Sequence, residues 1–284
     1  MPLVYGKELL KHAVEEEYAI PAFGFVNLEG AIAIVRAAEE MNAPIIMQTT
    51  QGGIDYAGHA QLAAIAISLA KEASVPIALH LDHGRKLPYH EKSIELGYTS
   101  LMIDGSTLSL EENIAITNNV CGMIKDPRIT IEAELGKIGG KEDDMSENES
   151  PYTKVDEAVK FINETNIDML AIACGTSHGF YVAEPHINQE LIQEISKKTG
   201  MPLVLHGGTG VPLDQVTAAV ESGVRKANFD SELKQGLIDG IMDYMGKNPK
   251  AYDLRKINEP GILNAKQIAI NKIKAVKADN KNWL

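Results

Sequence analysis

Three histidines lie where apolar runs of the sequence end, and together they suggest a metal site. His83 and His206 come at the ends of two such runs, and His178 follows a third within a glycine-rich stretch. A single histidine is more often a structural residue, but three imidazoles with a fourth position open are the ligands of a catalytic zinc ion. Glu134 ends another run, where it is either an exchangeable fourth ligand or a carboxylate that holds a neighbouring ligand in place.

Two carboxylates near these histidines are candidates for proton transfer. Asp82 directly precedes His83, so it could shuttle a proton to an oxygen whose charge a metal holds. It could instead only pair with a histidine ligand. Glu142 lies in a polar stretch after Gly139-Gly140 and by itself resembles a solvated surface acid. The residue types therefore favour Asp82 more strongly than Glu142.

Glycine-rich turns follow two of the runs and predict a phosphate site. They are Gly175–Gly179 and Gly207–Gly210, and hydroxyl groups are added by Thr209 and Ser231. Bare backbone N–H groups and a helix N-terminus bind phosphate in barrels, whereas the alternative is simply tight turning between strand and helix.

The elements that must position these residues alternate along the chain. Apolar residues at successive positions predict strands covered on both faces. The eight predicted strands are Ala19–Gly24, Pro44–Thr50, Pro76–Leu81, Ser100–Ile103, Arg128–Glu134, Met169–Ala173, Pro202–His206 and Lys226–Phe229. Helical spacing predicts Lys7–Glu17, Leu28–Met41, His59–Glu72, Tyr89–Leu96, Leu110–Gly122, Lys154–Glu164, Ile187–Lys198, Pro212–Ser222, Glu232–Met245 and Asn264–Lys277.

Eight strand–helix units predict an α/β fold, a single (β/α)8 TIM barrel over residues 1–284 with extra N-terminal and C-terminal helices. The competing doubly wound sheet would carry a GxGxxG turn after the first strand, and none stands there. Because strand ends face the active site in such barrels, the three histidines and the carboxylates should share one rim.

Composition narrows the class of protein. The chain has 284 residues, a net charge of −12 and two cysteines. The negative charge disfavours nucleic acid as a partner, and no apolar run approaches the ~20 residues of a membrane helix. Two distant cysteines and a charged N-terminal segment without an apolar core favour a cytoplasmic protein without a signal peptide.

Five motifs resemble, in order and over essentially the whole chain, those of the class II, metal-dependent ketose-bisphosphate aldolases. Val75–Gly84 is similar to the HxDH signature, and Ile131–Asp144 is similar to the ExELGxxGGxED signature. The remaining three are Gly175–Gly179, His206–Gly210 and Lys226–Asn228.

The resemblance implies a role for each site residue. It implies that His83, His178 and His206 bind Zn²⁺ and that Glu134 can join them as a ligand or exchange with one of them. It implies that Asp82 is the acid/base group acting on the C4 oxygen of the substrate. It also implies that Glu142 moves the C3 proton of dihydroxyacetone phosphate. The implied dihydroxyacetone phosphate site comprises Gly179, Gly207, Gly208, Thr209, Asn228, Phe229, Asp230 and Ser231. A homodimer or homotetramer and a monovalent cation (Na⁺ or K⁺) near the phosphate loops are implied as well.

The other known aldolase chemistry uses a lysine Schiff base. Lys226 begins the eighth predicted strand, at the end of the barrel away from the site, and Lys137 lies in a loop. The sequence therefore favours the metal mechanism.

Some positions depart from the family pattern and bear on the substrate. Gly24 stands where many relatives have Asn, and Thr50, a candidate substrate contact, stands where Ser is common. Arg85 and Lys86 add positive charge after the HxDH turn. The missing Asn amide could remove a substrate contact.

Asp230 favours fructose 1,6-bisphosphate, because related fructose enzymes often have Asp here and tagatose enzymes often have Ala. Discrimination of C4 epimers needs a polar partner of this kind, although Asp230 could instead be a helix N-cap. Lys234 and Arg255 either bind the distal phosphate or are solvated charges. The alternatives are a tagatose-bisphosphate aldolase, an aldolase for a related phosphorylated ketose or deoxy sugar, and a sugar-phosphate-binding barrel without catalysis.

Overall fold

Eight parallel strands close into a barrel in the computed structural model, which describes residues 3–140, 152–181 and 185–284. The strands, in chain order, are β1 Ile20–Gly24, β2 Ile45–Thr50, β3 Ile77–Gly84, β4 Ser100–Ile103, β5 Thr130–Leu135, β6 Gly139–Gly140, β7 Met169–Ile172, β8 Ser177–His178, β9 Leu203–Leu205 and β10 Val224–Phe229. The strands β6 and β8 pair with each other outside the barrel, and β1 closes the barrel by pairing with β10.

Helices surround the barrel and connect successive strands. They are α1 Gly6–Glu15, α2 Leu28–Glu40, α3 Gln51–Ala57, α4 His59–Glu72, α5 Leu87–Glu95, α6 Leu110–Met123, α7 Val155–Glu164, α8 Gln189–Thr199, α9 Leu213–Ser222, α10 Ser231–Lys247 and α11 Leu254–Ala275. Among these described helices, none is both long enough and apolar enough to cross a membrane.

The predicted TIM barrel is confirmed, and every predicted strand lies on an observed one. The physical basis is burial on both faces: Ile45, Ile46 and Met47 are consecutive in β2 and each is at most 1% exposed. Strands of this kind must be continuous apolar runs, because the barrel interior covers one face and the helices cover the other.

Two helices differ clearly from the predicted elements. The short helix α3 was not predicted; it starts directly after β2, and the Thr50 hydroxyl caps it by accepting from Gly53 N at 3.2 Å. The last helix begins at Leu254 rather than Asn264 and contains Pro260. A proline normally ends a helix, but here the surrounding packing of α11 against α10 and α2 outweighs that local preference.

The first helix lies across the end of the barrel at which the strands begin. The backbone N–H of Gly6 donates to Thr99 O at 3.0 Å, at the start of β4. A Cβ atom on Gly6 would lie 2.1 Å from Thr130 Oγ1, so only glycine permits this approach. With α1 over this end, the opposite rim is left to the loops that follow the strands.

Candidate active site

The end of β3 presents two consecutive polar residues to the barrel interior, which a regular strand does not do. Leu81 pairs with Leu101 of β4, but Gly84 pairs with Ile103, so β3 contains one extra residue between these points. His83 takes up the bulge with a φ of 47°, in the left-handed region that is rare for residues with a side chain. As a result Asp82 and His83, each 2% exposed, are both buried in the site.

The three predicted histidine ligands are brought together. The ring centroid of His83 lies 4.7 Å from those of both His178 and His206, and the last two are 5.8 Å apart. One ligand nitrogen from each can be chosen so that all three lie within 4.8 Å of one another. Ligand atoms of His83, Asp104 and Glu134 also lie within 4.8 Å of one another.

Carboxylates fix which nitrogen of two rings faces the centre. His83 Nδ1 lies 3.1 Å from Asp104 Oδ2, and His206 Nε2 lies 2.8 Å from Glu132 Oε1. Because an ionised carboxylate only accepts, each of these nitrogens carries its proton in that contact. The opposite nitrogens, His83 Nε2 and His206 Nδ1, then face each other at 3.1 Å. Carboxylates that orient histidine rings in this way are typical of metal sites.

Unpartnered buried atoms at the same place fit a cation. His178 Nε2 and Glu134 Oε2 are buried and have no hydrogen-bond partner among the residues that the structure describes. Glu134 Oε2 lies 3.7 Å from His206 Nδ1. A buried polar atom without a partner is costly, and a divalent cation coordinated by these nitrogen and oxygen atoms would satisfy all of them. The donor set therefore fits zinc or a similar ion.

Two of the three histidines have the protonation state that a ligand role requires. Burial lowers the pKa of His178 and His206 well below the usual value, and the charge of His83 adds to the effect, so both rings are neutral, as ligands must be. Burial alone would also lower the pKa of His83, but the carboxylates of Asp82, Asp104 and Glu134 outweigh it and raise it to about 10. Burial, followed by the charge of Asp104, raises the pKa of Glu134 well above its usual value.

Asp82 is held by two amide groups next to the histidines. Gln48 Nε2 donates to Asp82 Oδ2 at 2.9 Å, and Asn228 Nδ2 donates to Asp82 Oδ1 at 3.1 Å. These three side chains come from β2, β3 and β10, so three strand ends place one carboxylate. The arrangement suits a group that accepts and returns a proton at one defined point.

The barrel thus has three clustered histidines and a buried carboxylate on one rim, and its sequence matches one known family over nearly the whole chain. Residues 4–281 match the family of class-II fructose-bisphosphate aldolases. The chain belongs to this family. It is a class II aldolase, and the family it belongs to is generally metal-dependent and acts on phosphorylated sugars.

Individual relatives support the assignment to this family. The chain is 39% identical over 264 residues to the 6-phospho-5-dehydro-2-deoxy-D-gluconate aldolase of Halalkalibacterium halodurans, covering 92% of this chain and 91% of the relative. The structure of the present chain is similar to that of the YdjI aldolase of Escherichia coli K12, with a TM-score of 0.87 and 30% identity, covering 99% of this chain and 100% of YdjI. It also resembles the fructose-bisphosphate aldolase of Campylobacter jejuni, with a TM-score of 0.83, 26% identity and coverage of 99% and 97%.

Most of the residues predicted for the phosphate end of the aldolase's substrate lie around one cavity with the ligands. Gly179 and Gly207 have φ values of 84° and 64°, which glycine alone adopts readily. A Cβ on Gly207 would lie 2.4 Å from Ser177 O. The lining comprises Gln48, Asp82, His83, His178, Gly179, Gly207, Thr209, Asn228 and Asp230. Gly208 lies next to it, with its N–H donating to Asn228 O at 3.2 Å.

The other predicted substrate contacts are placed less centrally. Phe229 is fully buried with its ring 5.9 Å from that of Phe23. Ser231 is the first residue of α10, and Thr50 caps α3. Arg255 is 91% exposed at its side chain and pairs with Asp253 at 3.0 Å. Glu142 lies outside the described residues, so its predicted role stays a prediction.

Asp230 occupies the space that a side chain at position 24 would need. It stands before the first residue of α10 and forms an ion pair with Lys234 one turn later. A Cβ on Gly24 would lie 2.4 Å from Asp230 Oδ1. The departure at Gly24 and the presence of Asp230 are therefore one packing arrangement.

Four buried residues with a part in the site were not predicted: Gln48, Asp104, Glu132 and Lys226. The expectation that Lys226 lies away from the site was wrong, because its ammonium group contacts Glu132 and Asn228 inside the barrel. A signal was available for two of them. Glu132 precedes Glu134 by two residues and Lys226 precedes Asn228 by two, and such spacing puts both members on the same face of a strand.

Proposed function

We propose that this aldolase cleaves a phosphorylated ketose between C3 and C4, releasing dihydroxyacetone phosphate and an aldehyde. The observation that carries the proposal is the position of Asp82. Its carboxylate is 2% exposed, held by Gln48 and Asn228, and adjacent in sequence and space to a histidine that faces two others. A sugar-binding barrel without catalysis has no use for such a buried, oriented carboxylate.

His83, His178 and His206 would hold the metal ion, with Glu134 as the joining or exchanging ligand. A divalent ion such as Zn²⁺ supplies positive charge that stabilises the negative charge left on the substrate by carbon–carbon cleavage. The carboxylate of Asp104 holds the ring of His83 in the required orientation, and the carboxylate of Glu132 does the same for His206.

The protein's own groups account for the proton transfers. Asp82 accepts the C4 hydroxyl proton as the C4 oxygen becomes the aldehyde carbonyl and the C3–C4 bonding pair goes to C3. A proton returned to C3 then gives dihydroxyacetone phosphate, and Glu142 is proposed for this step. The backbone of Gly179 and of Gly207 to Thr209, with the hydroxyl of Ser231, binds the phosphate group.

Fructose 1,6-bisphosphate is our first candidate substrate. Asp230 is 9% exposed and lines the cavity that contains Asp82, where a carboxylate can accept from a substrate hydroxyl of one orientation. The second product would then be glyceraldehyde 3-phosphate, and the reaction would belong to glycolysis.

A second candidate comes from the relative in H. halodurans, which is named for 6-phospho-5-dehydro-2-deoxy-D-gluconate. A gluconate ends in a carboxylate rather than in a second phosphate. The ion pairs of the structure favour such a substrate. The two cations that were predicted to bind a distal phosphate are already paired, Lys234 with Asp230 and Arg255 with Asp253. Less positive charge is thereby available at the distal end.

The decisive experiment compares fructose 1,6-bisphosphate, tagatose 1,6-bisphosphate and 6-phospho-5-dehydro-2-deoxy-D-gluconate, each with and without EDTA, by release of dihydroxyacetone phosphate. We expect chelator-sensitive release, fastest from the fructose sugar. Faster release from another sugar would keep the mechanism and overturn the first candidate. Release that resists EDTA would contradict the metal mechanism, and no release from any sugar would contradict the proposed reaction.

We also propose that the protein is cytoplasmic and forms a homodimer or homotetramer. Size-exclusion chromatography with light scattering measures the oligomeric state.

A further inference from the structure

Lys226 is a charged residue buried in the middle of the barrel. It is the third residue of β10 and is 0% exposed. An ammonium group without solvent is costly unless it is paired and hydrogen-bonded. A barrel interior is normally filled by branched apolar side chains, so a lysine at this position needs a reason.

The ammonium group makes two contacts directed toward the active site. Lys226 Nζ lies 2.8 Å from Glu132 Oε2, and it donates to Asn228 Oδ1 at 2.7 Å. Glu132 is also 0% exposed and Asn228 is 7% exposed. Both partners contact residues of the proposed chemistry, on two different sides.

The contact with Asn228 determines the orientation of its amide group. An ammonium group has donors only, so the amide atom facing it must be the oxygen. The amide nitrogen is thereby turned toward Asp82, to whose Oδ1 it donates at 3.1 Å. Without Lys226 the amide could rotate and present its oxygen to the carboxylate, which would repel it.

The contact with Glu132 acts on a metal ligand. Glu132 uses its other oxygen, Oε1, to accept from His206 Nε2 at 2.8 Å. This contact keeps the proton on Nε2 and leaves Nδ1 directed at His83. With Lys226 beside it, Glu132 can hold this position without an unpaired charge in the barrel interior.

We propose that Lys226 is a positioning residue that orients both the acid/base group Asp82, through Asn228, and the metal ligand His206, through Glu132. The inference rests on the proposed function for the role of Asp82. It also accounts for a lysine in an aldolase barrel without Schiff-base chemistry, because the amine is held by two side chains beneath the site.

The test uses Lys226→Met in the full-length protein, which keeps most of the length of the side chain and removes its charge and donors. A second variant, Glu132→Gln with Lys226→Met, removes the unpaired carboxylate as well. Lys266→Met is the control for loss of a lysine–glutamate pair, since Lys266 pairs with Glu40 on the outer helices. Each protein is measured for melting temperature, for Co²⁺ affinity by competition with a chelator, and for kcat and KM.

We expect Lys226→Met to lower kcat and Co²⁺ affinity by about 10-fold to 100-fold each, as loss of such supporting contacts does, while KM changes little. The double variant should regain melting temperature but not kcat, because the amide of Asn228 stays unfixed. Lys266→Met should keep both kcat and Co²⁺ affinity.

Two results would overturn the inference: a Lys226→Met protein that loses melting temperature alone, or full recovery of kcat in the double variant. Co²⁺ affinity does not depend on the substrate. If the wild-type protein cleaves none of the sugars, the proposed function fails while the metal-binding measurement still decides whether Lys226 positions His206.

Discussion

The centre of the site and its rim differ in how their charged groups are held. At the centre, Asp82, His83 and Glu132 are at most 2% exposed, and side chains from other strands or from the end of a neighbouring strand contact each of them. At the rim, the side chains of Asp230 and Lys234 are 11% and 44% exposed and pair within one helix turn.

This difference separates two tasks of the enzyme. The central groups are oriented before a substrate arrives, which is what electrostatic stabilisation of a reaction requires. We propose that the rim faces the part of the substrate that differs between sugars. Its ion pair is solvated on the side of Lys234, which is 44% exposed, so the pair is held less firmly than the groups at the centre. We therefore expect changes at the centre to affect the chemical step, and changes at the rim to affect the choice of sugar.

The largest effect is expected for Asp82→Asn at the centre. The amide has nearly the shape of the carboxylate but cannot accept the C4 proton, so kcat for cleavage should fall by about 1,000-fold, within the usual range for an acid/base group. Proton exchange at C3 of dihydroxyacetone phosphate should persist, because it is assigned to Glu142. Retention of more than a tenth of the cleavage rate, measured by coupled assay, would remove Asp82 from its proposed role.

A smaller central effect is expected for Asp104→Ala. Burial raises the pKa of Asp104, but the hydrogen bond and charge of His83, together with Arg85, outweigh it and hold the pKa well below its usual range. Loss of this carboxylate frees the ring of His83, so affinity for Co²⁺ should fall by about 10-fold to 100-fold. Chelator competition measures it. Unchanged affinity would show that His83 does not need this partner.

The sequence predicted the barrel, and it predicted that three histidines lie together, for a physical reason that does not extend to the supporting residues. Apolar runs mark strands, and polar residues at strand ends mark the rim, so His83, His178 and His206 could be placed without coordinates. Asp104 and Gln48 could not, because their contacts with His83 and Asp82 depend on how neighbouring strands are aligned, which the spacing of residues along one strand does not show. The sequence placed Lys226 away from the site because the residue stands near the start of its strand. Its long side chain, however, extends along the barrel and brings the ammonium group to Asn228.

At the rim, Asp230→Ala should reduce the preference for fructose over tagatose bisphosphate by about 10-fold in kcat/KM, since one polar partner of a substrate hydroxyl is lost. Asp243→Ala is the matched control, because Asp243 pairs with Lys247 four residues later on the same helix but does not line the cavity. The control should leave the preference unchanged. An unaltered preference in Asp230→Ala would assign sugar selection to other residues.

The opposite end of the barrel should affect stability without affecting chemistry. In Gly6→Ala the new Cβ would lie 2.1 Å from Thr130 Oγ1 and 2.9 Å from Thr99 O, so α1 must shift away from the strands. Overpacking of this kind costs about 1–3 kcal/mol of unfolding free energy, which urea denaturation measures. Gly122→Ala is the control, because apart from its chain neighbours and the backbone of its own helix no atom would lie within 4 Å of the added Cβ, and alanine favours the helix. Since Gly6 lies at the end of the barrel where the strands begin, away from the cavity, kcat should be unchanged in both variants. A fall in kcat for Gly6→Ala alone would mean that the strands transmit strain from the closed end to the rim.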